Sequence, residues 1–169
     1  MSFQEKSDLI SEQPEKFIFS DNKGRKYELC LEMDDDKCIY VRLKHRGIKV
    51  GEANCVRYPP DKLLLADLNI YDEVIHIPQN FWDVFLKIVL NRSKKKNYRK
   101  RGLGSYLLQF VIKHASKKGI KLIFGKVVKR DSDNNPKLLE WYRKHGFEVD
   151  YTTGNDDPDT VARIYMNLS

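Results

Sequence analysis

Five short runs rich in β-branched and aromatic residues fill most of the first 71 positions and constrain the fold more than any other feature. They read KFIFS, KYELCLEM, CIYVRLKH, IKVGEANCVRY and KLLLADLNIY, and each partly alternates between apolar and polar residues. The segments between them, DNKG, DDDK, HRG and the Pro59-Pro60 pair, carry the residues that turns require. The pattern therefore predicts an antiparallel meander of five strands.

The second half of the chain changes to helical spacing. Apolar residues recur from Leu107 to Ala115 at positions that share one helix face, so a helix is predicted from Leu103 to Lys118, with Gly119 ending it. The run IKLIFGKVV that follows is almost continuously apolar. Such a run is typical of a central strand with neighbours on both sides.

A second helix is predicted after this strand, with Asn135 as its N-cap, Pro136 as its first residue and Gly146 at its end. Two more strands, FEVDYTT and TVARIYMNL, complete the chain. Neither a repeat nor a low-complexity linker interrupts the 169 residues. They are therefore predicted to form one domain, residues 1–169, of the α/β (α+β) class.

Two segments stand apart from this pattern. Residues 1–15 are polar and are predicted to be a flexible N-terminus. They contain no apolar signal core, and no stretch is long enough to span a bilayer, so a cytoplasmic protein without membrane contact is expected.

Residues 72–98 are longer than a typical strand-to-helix connection and are predicted to be an insertion. A helix in it, capped by Asn80, would pack on the body or cover a site; its apolar face would comprise Phe81, Trp82, Phe85, Ile88 and Val89.

Charge and cysteine content narrow the possible partners. The net charge of +7 permits a polyanionic partner or a phosphate-rich small molecule. Cys30, Cys38 and Cys55 form no CxxC motif and have no paired histidine spacing. Neither a metal site nor a disulfide framework is therefore expected.

The stretch YRKRGLGSYLL, residues 98–108, places basic residues and two glycines immediately before the first predicted helix. The first N–H groups of a helix lack partners, the helix dipole is positive there, and glycines let a phosphate approach closely. The spacing is neither GxxxxGK[ST] nor GxGxxG, since Leu107 stands where a third glycine is required. The stretch is either a phosphate site or a tight connection beside a solvated run of charge.

Together with NNPKLLEWYRKHGF, residues 134–147, this stretch resembles the GNAT superfamily of acetyl-CoA-dependent N-acyltransferases. The family pattern Q/R-x-x-G-x-G/A matches Arg99, Gly102 and Gly104. The later family pattern, a helix-opening Asn, a Tyr and a Gly-Phe pair, matches Asn135, Tyr142, Gly146 and Phe147. The resemblance covers residues 99–149. It implies a GNAT-like mixed, mostly antiparallel sheet, flanked by helices, in which the parallel strands LLLADLNIY and IKLIFGKVV splay apart.

The resemblance also implies an N-acetyltransferase that moves the acetyl group of acetyl-CoA to a primary amine by direct attack. The pyrophosphate would rest on backbone amides, and the pantetheine arm would pair with the first splayed strand. The cofactor-binding residues that this implies are Leu68, Asn69, Ile70, Arg99, Lys100, Arg101, Gly102, Leu103, Gly104, Ser105, Asn135 and Tyr142.

Tyr142 is the position that the resemblance assigns to the acid, because its hydroxyl can protonate the departing thiolate. The alternative is a packing role beside Trp141. Alternation along the first splayed strand puts Asp67, Asn69 and Tyr71 on one face. Asp67 is the candidate general base there, or else an ordinary polar residue that faces solvent.

The chain departs from the family pattern where two helices usually follow the first strand, because strands and turns occupy that region. The identity of the acceptor amine therefore does not carry over. Two other functions fit the same features. A nucleic-acid-binding module would use RSKKKNYRKR but leave the Asn-Tyr-Gly-Phe pattern idle, so nucleic acid is not the expected partner. A CoA-binding scaffold without catalysis would use only the cofactor residues.

Overall fold

The computed structural model of the chain describes residues 15–21, 23–34, 37–71, 74–75, 95–96, 98–151 and 157–169. Their strands are β1 (Glu15–Ser20), β2 (Lys26–Asp34), β3 (Cys38–His45), β4 (Ile48–Tyr58), β5 (Lys62–Ile70), β6 (Val74–Ile75), β7 (Lys95–Lys96), β8 (Leu122–Val128), β9 (Glu148–Tyr151) and β10 (Thr160–Asn167). Their helices are α1 (Leu103–Lys117), α2 (Lys129–Asn134) and α3 (Leu138–Lys144).

One sheet contains eight of these strands, in the order β1-β2-β3-β4-β5-β8-β10-β9. All neighbours in it are antiparallel except β5 and β8, which are parallel. β6 and β7 form a separate antiparallel ladder, in which Val74 pairs with Lys96. The predicted five-strand meander is confirmed, and each of its strands begins and ends within one residue of the prediction. The central position predicted for IKLIFGKVV is confirmed as well, because β8 lies between β5 and β10.

Alternation along the strands of the meander places one face of the sheet against α1. In β3, Ile39, Val41 and Leu43 are buried while the residues between them are only partly covered. α1 contributes the opposing apolar face, and Leu107 and Leu108 are fully buried in it. Aromatic contacts extend this core to the edge strand β1, whose residues are in ring contact with Tyr106 and Phe110 of α1.

The helices agree with the prediction only in part. α1 ends one residue before the predicted end, and Gly119 after it adopts a φ of 74°. The prediction that Asn135 caps the second helix is wrong, because α3 begins at Leu138 and the unpredicted α2 precedes it. The N–H of Asn135 donates to the Asp131 carbonyl and so ends α2. Since Pro136 follows, Asn135 is kept out of the helical region, with φ −141° and ψ 87°.

Two predicted segments lie outside the described residues. They are the helix at residues 81–89 and, except for Glu15 in β1, the flexible N-terminus at residues 1–15. Among the helices that the structure describes, none is long and apolar enough to cross a bilayer.

Candidate active site

β5 and β8 are neighbours only where they begin. Residues 62–64 pair with residues 122–124, after which β5 continues beside β4 and β8 continues beside β10. The two parallel strands therefore diverge toward their carboxyl ends. They leave a V-shaped opening in the sheet, as the resemblance implies.

Gly125 lies where the two strands separate. A β-carbon at this position would lie 2.9 Å from the carbonyl oxygen of Leu65 and 3.3 Å from Cγ1 of Ile164. The first of these neighbours is backbone and cannot move alone. The close approach that glycine allows thus fixes the narrow end of the opening.

A bulge in β5 lies just beyond that point. Cys55 of β4 pairs with Leu65, whereas the preceding residue, Asn54, pairs with Asp67. Ala66 is therefore an extra residue without a partner on β4. A bulge of this kind reverses the faces to which the following side chains point.

The reversal turns Leu68 and Ile70 toward the start of α1. A β-carbon on Gly104 would lie 3.8 Å from Cγ1 of Ile70 and 4.0 Å from Cδ2 of Leu68. By alternation, Asp67 and Asn69 then point to the opposite face of the sheet. β5 thus presents apolar side chains to α1 and polar side chains to the other face.

The loop of residues 99–105, hereafter the glycine loop, enters α1 through two residues in the left-handed region, Lys100 with φ 58° and Gly102 with φ 75°. Gly102 is the N-cap, and its carbonyl accepts the N–H groups of Ser105 at 3.0 Å and of Tyr106 at 3.2 Å. The two N–H groups before Ser105 have no acceptor within the helix. α1 is described throughout, and no acidic residue occupies its first turn. The helix start therefore presents donors and the positive end of its dipole.

Two side-chain hydrogen bonds fix the glycine loop beside the opening. Nε of Arg99 donates to the carbonyl of Ile70, the last residue of β5, at 3.2 Å. Nε1 of Trp141 in α3 donates to Oγ of Ser105 at 3.3 Å. One bond therefore ties the loop to β5, a border of the opening, and the other ties it to α3.

Most of the predicted cofactor residues are brought together here. They are Leu68, Ile70, Arg99, Gly102, Leu103, Gly104, Ser105 and, beside Trp141, Tyr142. Four others lie apart. Asn69 faces the other side of the sheet, and Asn135 lies between α2 and α3. Lys100 is exposed, and the guanidinium of Arg101 lies over the Tyr98 ring, 4.6 Å from its centroid.

Tyr142 is buried in α3, with 8% of its surface exposed. Its ring meets those of Trp141 and Phe147 edge-on, at centroid distances of 4.9 and 5.5 Å. Burial raises the pKa of its hydroxyl well above the usual range, and the charges of Asp131 and Asp67 raise it further. The hydroxyl is therefore protonated at neutral pH, and it is a weaker acid than the hydroxyl of a solvent-exposed tyrosine.

Asp67 lies on the polar face of β5. Desolvation raises the pKa of its carboxyl group, and the negative charges of Glu52 and Asp131 add to the shift. A raised pKa makes the ionised carboxylate a stronger base. The environment of Asp67 therefore suits the acceptance of a proton.

Sequence reasoning missed Glu52 and Asn54, which lie beside Asp67. Glu52 accepts the Tyr71 hydroxyl at 2.6 Å and the Lys49 ammonium at 3.0 Å, and the Tyr71 bond contributes most to lowering the Glu52 pKa. Oδ1 of Asn54 is buried and has no hydrogen-bond partner within the described ranges. The sequence feature that could have revealed both residues is the turn at Pro59-Pro60. It joins β4 and β5 in a hairpin, and the register of this hairpin places Asn54 opposite Asp67 and Glu52 opposite the residue two positions farther along β5.

Comparisons with known proteins give one family and many similar folds. Residues 93–149 match the family model described as Acetyltransferase (GNAT) domain. No curated protein matches the chain.

The similar solved structures are distant in sequence. PaiA N-acetyltransferase from Thermoplasma acidophilum, in complex with coenzyme A, is 17% identical with a TM-score of 0.52; the match covers 78% of this chain and 62% of that one. A putative acyl-CoA N-acyltransferase from Klebsiella pneumoniae is 14% identical with a TM-score of 0.55, covering 82% and 77%. A GNAT family acetyltransferase from Elizabethkingia anophelis with acetyl-CoA bound is 13% identical with a TM-score of 0.52, covering 79% and 78%.

This chain therefore spans less than two thirds of the length of the Thermoplasma protein. Among the described strands, the mixed, mostly antiparallel sheet with one parallel pair agrees with the fold of these structures. The predicted resemblance and fold are confirmed: the chain has the GNAT fold, and residues 93–149 match the GNAT acetyltransferase family model.

Proposed function

We propose that this protein is an N-acetyltransferase that transfers the acetyl group of acetyl-CoA to a primary amine by direct attack. One observation carries the proposal. The glycine loop, with its unpaired helix N–H groups, lies beside the end of β5 and is hydrogen-bonded through Trp141 to α3, the helix that carries the buried, protonated Tyr142.

The opening suits an extended cofactor with a phosphate end. The pyrophosphate is bound by backbone N–H groups of residues 101–104, where the dipole of α1 favours negative charge, while the N–H of Ser105 donates to the Gly102 carbonyl. Past residue 64, β5 has no neighbour on its β8 side among the described strands. Its backbone groups at Leu68, Asn69 and Ile70 can therefore pair with the amides of the pantetheine arm, as an added strand would.

In the proposed reaction, the neutral amine nitrogen attacks the thioester carbonyl carbon, and a C–N bond forms. A backbone N–H of β5 stabilises the oxyanion that develops on the carbonyl oxygen. The C–S bond then breaks, and the departing thiolate takes the proton of the Tyr142 hydroxyl. Asp67, directly or through a water molecule, takes the proton that converts the arriving ammonium to the neutral amine, and the proton that the nitrogen loses after the attack goes to solvent water. Proton exchange with solvent restores both groups.

The polar face of β5 is the proposed position of the amine. Asp67 and Asn54 are directly paired across β4 and β5, so their side chains share one face at neighbouring positions. The buried Oδ1 of Asn54 lacks a donor, and an amine N–H supplies one. The Glu52 carboxylate adds negative charge nearby. The site therefore favours an acceptor that arrives as a cation.

Nucleic-acid binding is the alternative that the basic run suggests. Two arginines of this run already make contacts within the protein. Arg99 donates a hydrogen bond to the Ile70 carbonyl, and the guanidinium of Arg101 lies over the Tyr98 ring. Melting temperatures measured with saturating acetyl-CoA and with a short duplex separate the two functions, because only a bound ligand stabilises the fold. Stabilisation by the duplex alone would reject the acetyltransferase.

Catalysis is tested by thiol release from acetyl-CoA with a panel of primary amines. We expect release that depends on both the protein and the amine, and faster release with amines that carry an additional positive charge than with amines that carry a carboxylate. Binding of acetyl-CoA without amine-dependent release by any member of the panel would instead indicate a non-catalytic CoA-binding scaffold.

A further inference from the structure

A second concave site lies on the β4 side of β5, whereas the V-shaped opening lies on the β8 side. It is a cavity of about 540 Å³. The described residues that line it come from the start of β2, the turn between β3 and β4, and the glycine loop with the residue before it. They are Arg25, Lys26, His45, Arg46, Tyr98 and Arg101.

The lining is positively charged. It includes four Lys and Arg side chains and, among the described residues, no carboxylate. Arg25 is compensated by Asp21, to which its Nε donates at 2.6 Å. Within the part of the chain that the structure describes, the other three cations, Lys26, Arg46 and Arg101, form no salt bridge. Among the described residues, three positive charges therefore line one cavity without a carboxylate paired to them.

The residues that line the cavity contact one another and the neighbouring Tyr27 ring. The guanidinium of Arg101 lies over the fully buried Tyr98 ring. Nδ1 of His45 lies 2.8 Å from the Lys26 carbonyl; because a carbonyl only accepts, this nitrogen donates. The His45 ring lies between those of Tyr27 and Tyr98, at centroid distances of 4.9 and 5.8 Å. Arg101 is thus packed on an aromatic cluster, and the backbone of Lys26 is hydrogen-bonded to the same cluster through His45.

The positive charges of the cavity affect the pKa of Tyr98. Burial raises the pKa of its hydroxyl, while the charges of Arg101, Arg46 and Arg25 act in the opposite direction. Three guanidinium groups from three separate segments therefore lie close enough to one side chain to influence it. Planar guanidinium groups match the oxygen geometry of phosphate better than other cations do.

We propose that this cavity binds a phosphate ester. Arg101 belongs both to the cavity and to the glycine loop, so a phosphate in the cavity lies next to the proposed pyrophosphate site. Two molecules can supply the ester, the nucleotide end of CoA or an acceptor amine that itself carries a phosphate. Naming these sources rests on the proposed function, whereas binding of phosphate does not.

The test uses the full chain and two double variants that remove the same charge. Lys26→Gln/Arg46→Gln changes two exposed cations of the cavity. Lys113→Gln/Lys117→Gln changes two exposed cations of α1 that lie on the order of 15 Å or more farther along the helix. Melting temperatures establish that both variants fold, and the single variant Lys26→Gln replaces the first pair if it does not.

Calorimetric titration with inorganic phosphate is the first arm. We expect the cavity variant to bind phosphate at least about tenfold more weakly than wild type, and the control variant to bind as wild type does. Equal loss in both variants, or no loss in either, would overturn the proposal. Acetyl transfer is not involved, so this result is separate from the outcome of the thiol-release assay.

Two further arms identify the source of the ester. If the nucleotide end of CoA occupies the cavity, the cavity variant loses affinity for CoA but not for dephospho-CoA, which lacks the 3′-phosphate. If the acceptor occupies it, CoA binding is unchanged, and the KM for phosphoethanolamine rises relative to that for ethanolamine. A cavity variant that matches wild type with all four compounds would contradict the assignment of a phosphate ester to this cavity.

Discussion

Gly104 is the second residue of α1, and substitution there separates cofactor binding from folding. A β-carbon at this position would lie 3.6 Å from Cζ2 of Trp141 and 3.8 Å from Cγ1 of Ile70, which are ordinary van der Waals distances. Alanine therefore fits. We expect Gly104→Ala to bind acetyl-CoA and to stabilise the fold by up to about 1 kcal/mol, because glycine has a high backbone entropy when unfolded.

Glutamate at the same position is expected to fold but not to bind acetyl-CoA. A carboxylate in the first turn of a helix is stabilised by the dipole, by about 0.3–1 kcal/mol. A pyrophosphate charge roughly 5 Å from that carboxylate would be repelled by about 3 kcal/mol at an effective dielectric constant of about 20. Affinity for acetyl-CoA should therefore fall at least about a hundredfold.

Calorimetric titration of acetyl-CoA into wild type and the Gly104→Ala, Gly104→Gln and Gly104→Glu variants measures this effect. Glutamine matches glutamate in volume without its charge, so the difference between these two variants isolates the repulsion. Melting temperatures report folding. Wild-type affinity in the folded Gly104→Glu protein would refute the placement of the pyrophosphate on the glycine loop.

Three further predictions follow from contacts of β4, β5 and β8. Gly125→Ala should lower the free energy of unfolding in denaturant by about 1–3 kcal/mol, because the added methyl would meet the Leu65 carbonyl at 2.9 Å; wild-type stability would disprove that close approach. Asp67→Asn should raise the melting temperature at pH 7 but not at pH 3. The folded-state pKa of Asp67 is raised, so relative to low pH the folded state loses stability as pH rises through the folded pKa and the carboxyl group ionises. Asparagine removes this loss at pH 7, whereas at pH 3, below the unfolded pKa, there is no loss to remove; a pH-independent difference would count against this environment. Asn54→Ala should raise the KM for the amine and leave acetyl-CoA affinity unchanged; an unaltered KM would remove Asn54 from the acceptor site.

The meander was predictable because its local signals agree with one another. In β3 the buried and partly covered residues alternate along the whole strand, and turn residues follow it at Arg46 and Gly47. The glycine loop was predictable for a similar reason. Gly102 adopts the positive φ that its position before a helix requires.

The bulge at Ala66 was not predictable, because the three consecutive leucines at 63–65 before it fit either face of the strand and only the residues after it alternate. One extra residue decides which side chains of β5 face α1, and only pairing with β4 reveals it. The start of α3 was also missed. Asn135 and Pro136 suit a helix start, but the N–H of Asn135 is used to end α2. The basic cavity depends on tertiary contacts that bring Arg25 beside Arg101, and no local pattern encodes them.

The central claim is that Tyr142 protonates the thiolate that leaves at the opening between β5 and β8. Its most direct test is the single-turnover rate of amine-dependent thiol release by Tyr142→Phe saturated with acetyl-CoA. Wild type and Tyr58→Phe, which removes an exposed hydroxyl at the far end of β4, are the references. We predict a rate lower by about 10²–10⁴ for Tyr142→Phe alone, with an unchanged Kd for acetyl-CoA. Equal rates in all three proteins would contradict the account.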